Sequence, residues 1–198
     1  MEEIIRSLFE GDQKGVNLGG WISQCVSYEQ KHFETFITEQ DIEQIASWGL
    51  DHVRVPVEYY ILEEEELAEI FSLVNNYLFP GGLFIFDFNT VYKYREIIGE
   101  STIAENREDC SFIWENFYDP EGDINEYDLT VFVRKEGDIF RKFTETHLQR
   151  GYTAEQMTRL VEQAGMEVVE VLDADTGEAV TDTSERVYVV AREKAKKE

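Results

Sequence analysis

The sequence predicts a three-layer α/β fold on a mostly parallel, partial sheet, with a three-stranded antiparallel meander set into its second half. Three observations carry this expectation. Helix-spaced apolar residues alternate with short apolar runs along most of the chain. The run Leu83-Phe84-Ile85-Phe86-Asp87-Phe88 is nearly all apolar, as in a strand buried on both faces of a parallel sheet. From 111 to 148 the apolar period changes to two, the mark of half-buried strands.

The elements follow in order. Ile4, Ile5, Leu8 and Phe9 predict a short amphipathic helix over 2–10, closed by Gly11. Gly15-Val16-Asn17-Leu18-Gly19-Gly20-Trp21 reads as a short strand ending in a glycine turn. Thr38 and Asp41 form an approximate capping box for a helix over 39–48, which Gly49 ends. His52–Val57 is a strand, with Pro56 at its end or at an edge because proline cannot donate to the ladder. Leu67, Ile70, Phe71, Val74 and Leu78 form a helical stripe that Pro80-Gly81-Gly82 terminates before the apolar strand, so this unit reads as half of a βαβ crossover. Ser111–Tyr118, Ile124–Arg134 and Ile139–Leu148 are the meander strands, separated by the turn-forming stretches 119–123 and 135–138. Thr153 and Gln156 cap a helix lined by Met157, Leu160, Val161 and Ala164, and two further strands span Met166–Leu172 and Arg186–Ala191.

Bulk composition narrows the functional classes. The chain has 198 residues, 42% of them hydrophobic, and 42 acidic against 18 basic residues give a net charge of -24. That field repels phosphate backbones and anionic lipid surfaces, so neither nucleic acid nor a membrane is the expected partner. Cys25 and Cys110 are far apart and form no C-x-x-C pair, so no thiolate metal site or disulfide framework is expected. The four charged side chains within Met1–Glu10 do not fit a signal peptide, and no apolar run approaches the length of a membrane span. The expected location is cytoplasmic.

The segment Leu78-Phe79-Pro80-Gly81-Gly82-Leu83-Phe84-Ile85-Phe86-Asp87 resembles the helix-to-fifth-strand passage of class I S-adenosylmethionine-dependent methyltransferases. Tyr152-Thr153-Ala154-Glu155-Gln156 through Leu160 and Ala164-Gly165-Met166 is similar to that family's late helix, and Glu185–Arg192 to its final antiparallel strand. The resemblance spans about 61–198 and implies a Rossmann-like sheet, S-adenosylmethionine as cofactor and the meander (111–148) as a cap over a small-molecule substrate. The family's cofactor site needs an acid and a Gly-x-Gly turn after its first strand, where the backbone approaches the methionine portion. No Gly-x-Gly occurs in this sequence. The nearest counterpart is the loop carrying Asn17, Gly19 and Gly20, with asparagine where an acid is expected.

Residues 15–60 instead resemble the opening of glycoside hydrolase family five, a (β/α)8-barrel of cellulases and glucanases. Gly15–Trp21 is similar to its first strand, and Phe36–Val57 to its first helix and second strand. The resemblance implies that Arg54 matches the active-site arginine supporting the nucleophilic carboxylate. Hydrolysis needs two carboxylates flanking the scissile bond, and in that family they sit on later strands that this chain does not encode. The join falls near Glu58–Glu63, and the expected organisation is a barrel-like segment 1–60 and a methyltransferase-like portion 61–198.

Asp87, at the carboxyl end of the apolar strand, is either a ligand-facing acid or one bonded to nearby backbone amides. Asn89 and Tyr92 follow on the same rim as candidate substrate contacts. His147 is expected to be structural, and His32 and His52 share no metal-ligand spacing. Trp114, Phe117, Tyr118 and Tyr127 form either an aromatic substrate wall or ordinary cross-strand packing. The functional expectation is a hybrid domain of methyltransferase descent without catalysis. An active methyltransferase with an atypical loop over 16–21 and a glycosidase fragment are the alternatives. Open sheet edges make self-association an expected hazard.

Overall fold

The computed structural model describes residues 14–18, 29–50, 52–54, 64–194 and 196. The expected helix over 2–10, Gly19, Gly20, Trp21, Cys25, the strand end 55–57 and the join near 58–63 lie outside the described residues. The chain divides into two compact units, Met1–Glu58 and Tyr59–Glu198.

In the first unit, β1 (Gly15–Asn17) and β2 (His52–Arg54) form a two-stranded parallel sheet, with Val16 opposite Val53. Helices α1 (Gln30–Thr35) and α2 (Glu39–Ser47) lie between them in sequence. The β1–helix–β2 order with parallel pairing is a βαβ crossover. The expected capping box is present: the Thr38 amide donates to Asp41 Oδ2 at 2.8 Å, and the Asp41 amide donates back to Thr38 Oγ1 at 3.4 Å. The short helix α1 was not legible in the sequence.

In the second unit, α3 (Glu64–Tyr77), β3 (Leu83–Asn89), a π-helix (Lys93–Ile98), β4 (Thr102–Asn106), β5 (Cys110–Asp119), β6 (Ile124–Glu136), β7 (Ile139–Arg150), α4 (Ala154–Gln163), β8 (Met166–Asp173) and β9 (Arg186–Glu193) follow in order. One sheet has the order β3-β9-β8, with both pairings antiparallel. Phe84, Phe86 and Phe88 share a face with their cross-strand partners Ala191, Val189 and Val187. Against that face pack Leu67 and Phe71 of α3 and Met157, Leu160 and Val161 of α4, closing the core. Each such fully buried side chain contributes roughly 1.5–3 kcal/mol. Phe71 packs against Phe86 with ring centroids 5.0 Å apart.

The apolar run of β3 is therefore not buried on both faces. Ile85 is 42% exposed. The strand's neighbour among the described residues is the antiparallel β9. The phenylalanines fill one face, and the intervening residues look the other way. At the strand's start, Gly81 takes φ 70°, a left-handed turn that a side chain would strain. The buried Glu193 carboxylate accepts from the Gly81 amide at 3.1 Å and from the Lys196 amide at 2.7 Å, so the end of β9 fixes that turn.

The meander has four strands rather than three, in the order β4-β5-β6-β7, all antiparallel. The added strand, β4, is short and exposed throughout, so it shows no burial-driven alternation of apolar residues. The capping box of α4 is formed as expected, with the Thr153 amide 2.8 Å from Gln156 Oε1.

Candidate functional site

Two places carry the residues singled out by sequence. The first is the tip of β1 and β2. Arg54 Nη1 donates to Asn17 Oδ1 at 3.2 Å, and the Leu18 amide donates to the Arg54 carbonyl at 2.8 Å. The two candidates from different resemblances are thus partners of each other. Among the described residues of β1, β2 and their flanks, 14–18 and 52–54, there is no carboxylate, and Lys14 and Arg54 are both cationic.

The second place is the rim where β3 ends. Asn89 Nδ2 donates to Tyr94 Oη at 2.8 Å, and Tyr94 Oη donates to Gln149 Oε1 of β7 at 3.0 Å. Lys93 Nζ donates to Asn89 Oδ1 at 3.2 Å. Tyr94 is only 2% exposed, so its hydroxyl is the buried link between β3, the π-helix and the meander. The π-helix itself is marked by the Gly99 amide bonding five residues back to the Tyr94 carbonyl at 2.8 Å. Such wide turns recur at functional sites. Thr90 Oγ1 donates to the Ser184 carbonyl at 2.7 Å and accepts from the Lys93 amide at 3.2 Å, anchoring the turn's start. Tyr92, the residue before the π-helix, is half-buried.

Asp87 lies at the β3 end of an ion pair. Its Oδ2 receives Arg186 Nε at 2.7 Å and Nη2 at 2.6 Å, an ion pair across the β3–β9 ladder. Asn89 and Asp87 share a face of β3, yet Asn89 joins the Tyr94 network and Asp87 joins β9.

Within the meander, the Tyr118 hydroxyl of β5 donates to Asp123 Oδ1 of the β5–β6 turn at 2.7 Å. Burial, then the Asp123 hydrogen bond and its negative charge, push the Tyr118 phenol up to about 12. Asn125, fully buried, donates from Nδ2 to Asn116 Oδ1 at 2.9 Å. Tyr127 stacks on His147 with centroids 5.0 Å apart and meets Trp114 edge-on at 5.6 Å, while His147 Nε2 lies 3.2 Å from Glu145 Oε2. Trp114 and Tyr127 therefore form a wall on one face of the sheet. Phe117 does not join it: alternation along β5 puts it on the opposite face, where it is exposed.

A cleft of about 380 Å³ opens between the start of α3, the β5–β6 turn and the start of α4, lined by Glu64, Glu65, Glu121, Asp123, Arg150 and Tyr152 among others. Its lining includes none of Asp87, Asn89 and Tyr92. Gly151 also lines it, and a Cβ there would sit 2.9 Å from Val91 Cα, so this floor admits only glycine. Sequence reasoning missed Tyr94, Gln149 and the cleft. Gln149 gave no signal, because it falls just past the predicted strand Ile139–Leu148 and β7 shows no alternation of burial. Among the described residues, no group of three or more His, Cys, Asp or Glu is placed to hold a metal ion. No helix among them is long and apolar enough to cross a membrane.

Comparison with known proteins decides the descent. A Geobacillus protein named as a methyltransferase is 34% identical over 133 residues, 67% of this chain and 54% of that relative. Most of this chain is homologous to methyltransferases. A separate match, 58% identical over 52 residues, is to endoglucanase C of Acetivibrio thermocellus and covers 26% of this chain but 15% of the enzyme. The molecule thus joins a methyltransferase-related part to a shorter glucanase-related part. The chain spans about half the length of the methyltransferase relatives it matches. The structure of an S-adenosylmethionine-dependent methyltransferase from Clostridium acetobutylicum superposes with a TM-score of 0.68 at 19% identity, covering 98% of this chain and 90% of that one. The methyltransferase-like chain therefore has a Rossmann-like α/β fold. No family model matches it.

Among the described residues at the strand tip, 14–18 and 52–54, no carboxylate is present to meet the cations of S-adenosylmethionine. The donor brings a sulfonium and an ammonium cation, and the described residues there offer a guanidinium and an amide oxygen already engaged by it.

Proposed function

We propose that this chain is a hybrid α/β domain derived from a methyltransferase and does not itself transfer methyl groups. The observation that carries the reading is the Asn17–Arg54 pair, 3.2 Å, at the tip of the first parallel strand pair. A methyl-donor site of this fold class needs a carboxylate and a close glycine approach at that tip. Charge repulsion is the smaller part of the argument, because exposed charges are weakened by water and screened by salt. The larger part is the missing acceptor set: Asn17 Oδ1 is bonded to Arg54, and no Gly-x-Gly occurs in the 198 residues. The same tip does not support glycoside hydrolysis, which requires two carboxylates astride the bond, whereas Arg54 is bonded to an amide.

The test is calorimetric titration of the full chain with S-adenosylmethionine and, separately, S-adenosylhomocysteine, alongside incubation with an aryl β-glucoside. The expected result is no saturable heat and no glucoside turnover. One-site micromolar binding of the donor that Asn17→Ala abolishes overturns the reading, as does glucoside hydrolysis above the blank.

A further inference from the structure

We infer that the meander's outer edge is a self-recognition surface, on which β7 pairs antiparallel with β7 of a second copy about a two-fold axis at Phe143. The edge is open. In the order β4-β5-β6-β7 the last strand has, among the described residues, a ladder partner on one side only, and its stretch Ile139–Thr146 is exposed throughout. An unpaired strand of that length is a ready template for another chain. Ile139, Phe140 and Phe143 are all exposed on it, an apolar load that solvent does not favour on an edge.

The strand's sequence selects the occupant. A chain of net charge -24 repels its own copies almost everywhere, yet Ile139–Leu148 holds two basic residues, Arg141 and Lys142, against one acid, Glu145. A two-fold axis normal to the sheet makes opposed residues share a face, so the paired residue numbers sum to an even value. With Phe143 on the axis, Arg141 faces Glu145 of the second copy, and the reverse pair forms symmetrically. Lys142 then faces a Thr144 hydroxyl, and the two Phe143 rings meet. Each ring already has its own Arg141 guanidinium 4.8 Å from its centroid, so the cations stand beside the axis before pairing. Moving the axis to Lys142 sets two lysines against each other. Moving it to Thr144 separates Arg141 from Glu145 and sets Phe143 against the acid. Of these three registers, only the first is self-complementary in charge. The opposite edge, β4, is the shorter strand and lacks this pattern.

The test is sedimentation equilibrium of the full chain at physiological salt, comparing the parent with Arg141→Glu, Glu145→Arg and the double exchange. Both positions are exposed, and far-UV circular dichroism checks that each variant folds. The expected result is a dimer for the parent, dissociation constants weakened on the order of tenfold for each single variant, since two pairs turn repulsive, and recovery in the double exchange. In hydrogen exchange, the 139–146 amides gain protection as parent concentration rises. A parent monomeric at high micromolar concentration, polymers larger than the dimer, or a double exchange as weak as the singles overturns the inference.

Discussion

Replacing Tyr94 by phenylalanine tests whether the buried hydroxyl holds the rim together. In the parent, Tyr94 Oη accepts from Asn89 Nδ2 at 2.8 Å and donates to Gln149 Oε1 at 3.0 Å, and the residue is 2% exposed. The substitution keeps the ring and its packing and removes one oxygen, so no large cavity opens. What it removes is two hydrogen bonds between neutral groups, each worth about 1 kcal/mol net. The partners are half-buried, which gives Asn89 and Gln149 partial access to water and keeps the desolvation penalty near the low end of its range. The expected loss is about 2 kcal/mol, or roughly thirtyfold in the folded-to-unfolded ratio. With a urea slope of about 2 kcal/mol per molar, the unfolding midpoint followed by far-UV circular dichroism falls by about 1 M at unchanged slope. A shift under about 0.2 M refutes the reasoning, because the hydroxyl would then be exchanging these bonds for water without loss.

Two further outcomes follow from the same region. Gly151→Ala places a Cβ 2.9 Å from Val91 Cα and 3.1 Å from Tyr94 Cδ2, whereas Gly137→Ala, with nothing within 4 Å, is strained only by its positive φ. Overpacking against backbone at Gly151 lowers stability by about 1–3 kcal/mol in the same urea assay. In ultraviolet titration the Tyr118 phenol ionises near 12, and Tyr118→Phe removes that step while Asp123→Asn lowers it. Because the folded value lies above the unfolded 10.0, this group's contribution to stability is complete below pH 10 and is lost as pH rises through about 12. The thermal midpoint of the Tyr118→Phe variant therefore depends less steeply on pH across that window.

The descent of the chain was readable from short, continuous motifs. The Pro80-Gly81-Gly82 turn, the Thr153–Gln156 cap and the apolar β3 run each act within a few residues, and the structure builds each where the sequence predicts it. The Thr38–Asp41 cap belongs to the same class. The site was less legible. The ion pair of Asp87 was not legible, because nothing in its own segment announces Arg186, 99 residues later. The fourth meander strand was missed because an exposed strand has no buried face to impose a period of two.

What the sequence by itself determined is local: where helices start, where turns hold glycine, and that no glycine pair is spaced to cradle a dinucleotide-like cofactor. The tertiary structure alone decided which distant side chains meet. Tyr94 reaches Gln149 only because the π-helix widens its turn and aims the hydroxyl at the meander, and Arg54 reaches Asn17 only because β1 and β2 pair in parallel register. The physical reason is the range of the forces. Caps and periodicities depend on neighbours along the chain, whereas a hydrogen bond between residues 37 or 55 positions apart exists only once the sheets have set their register.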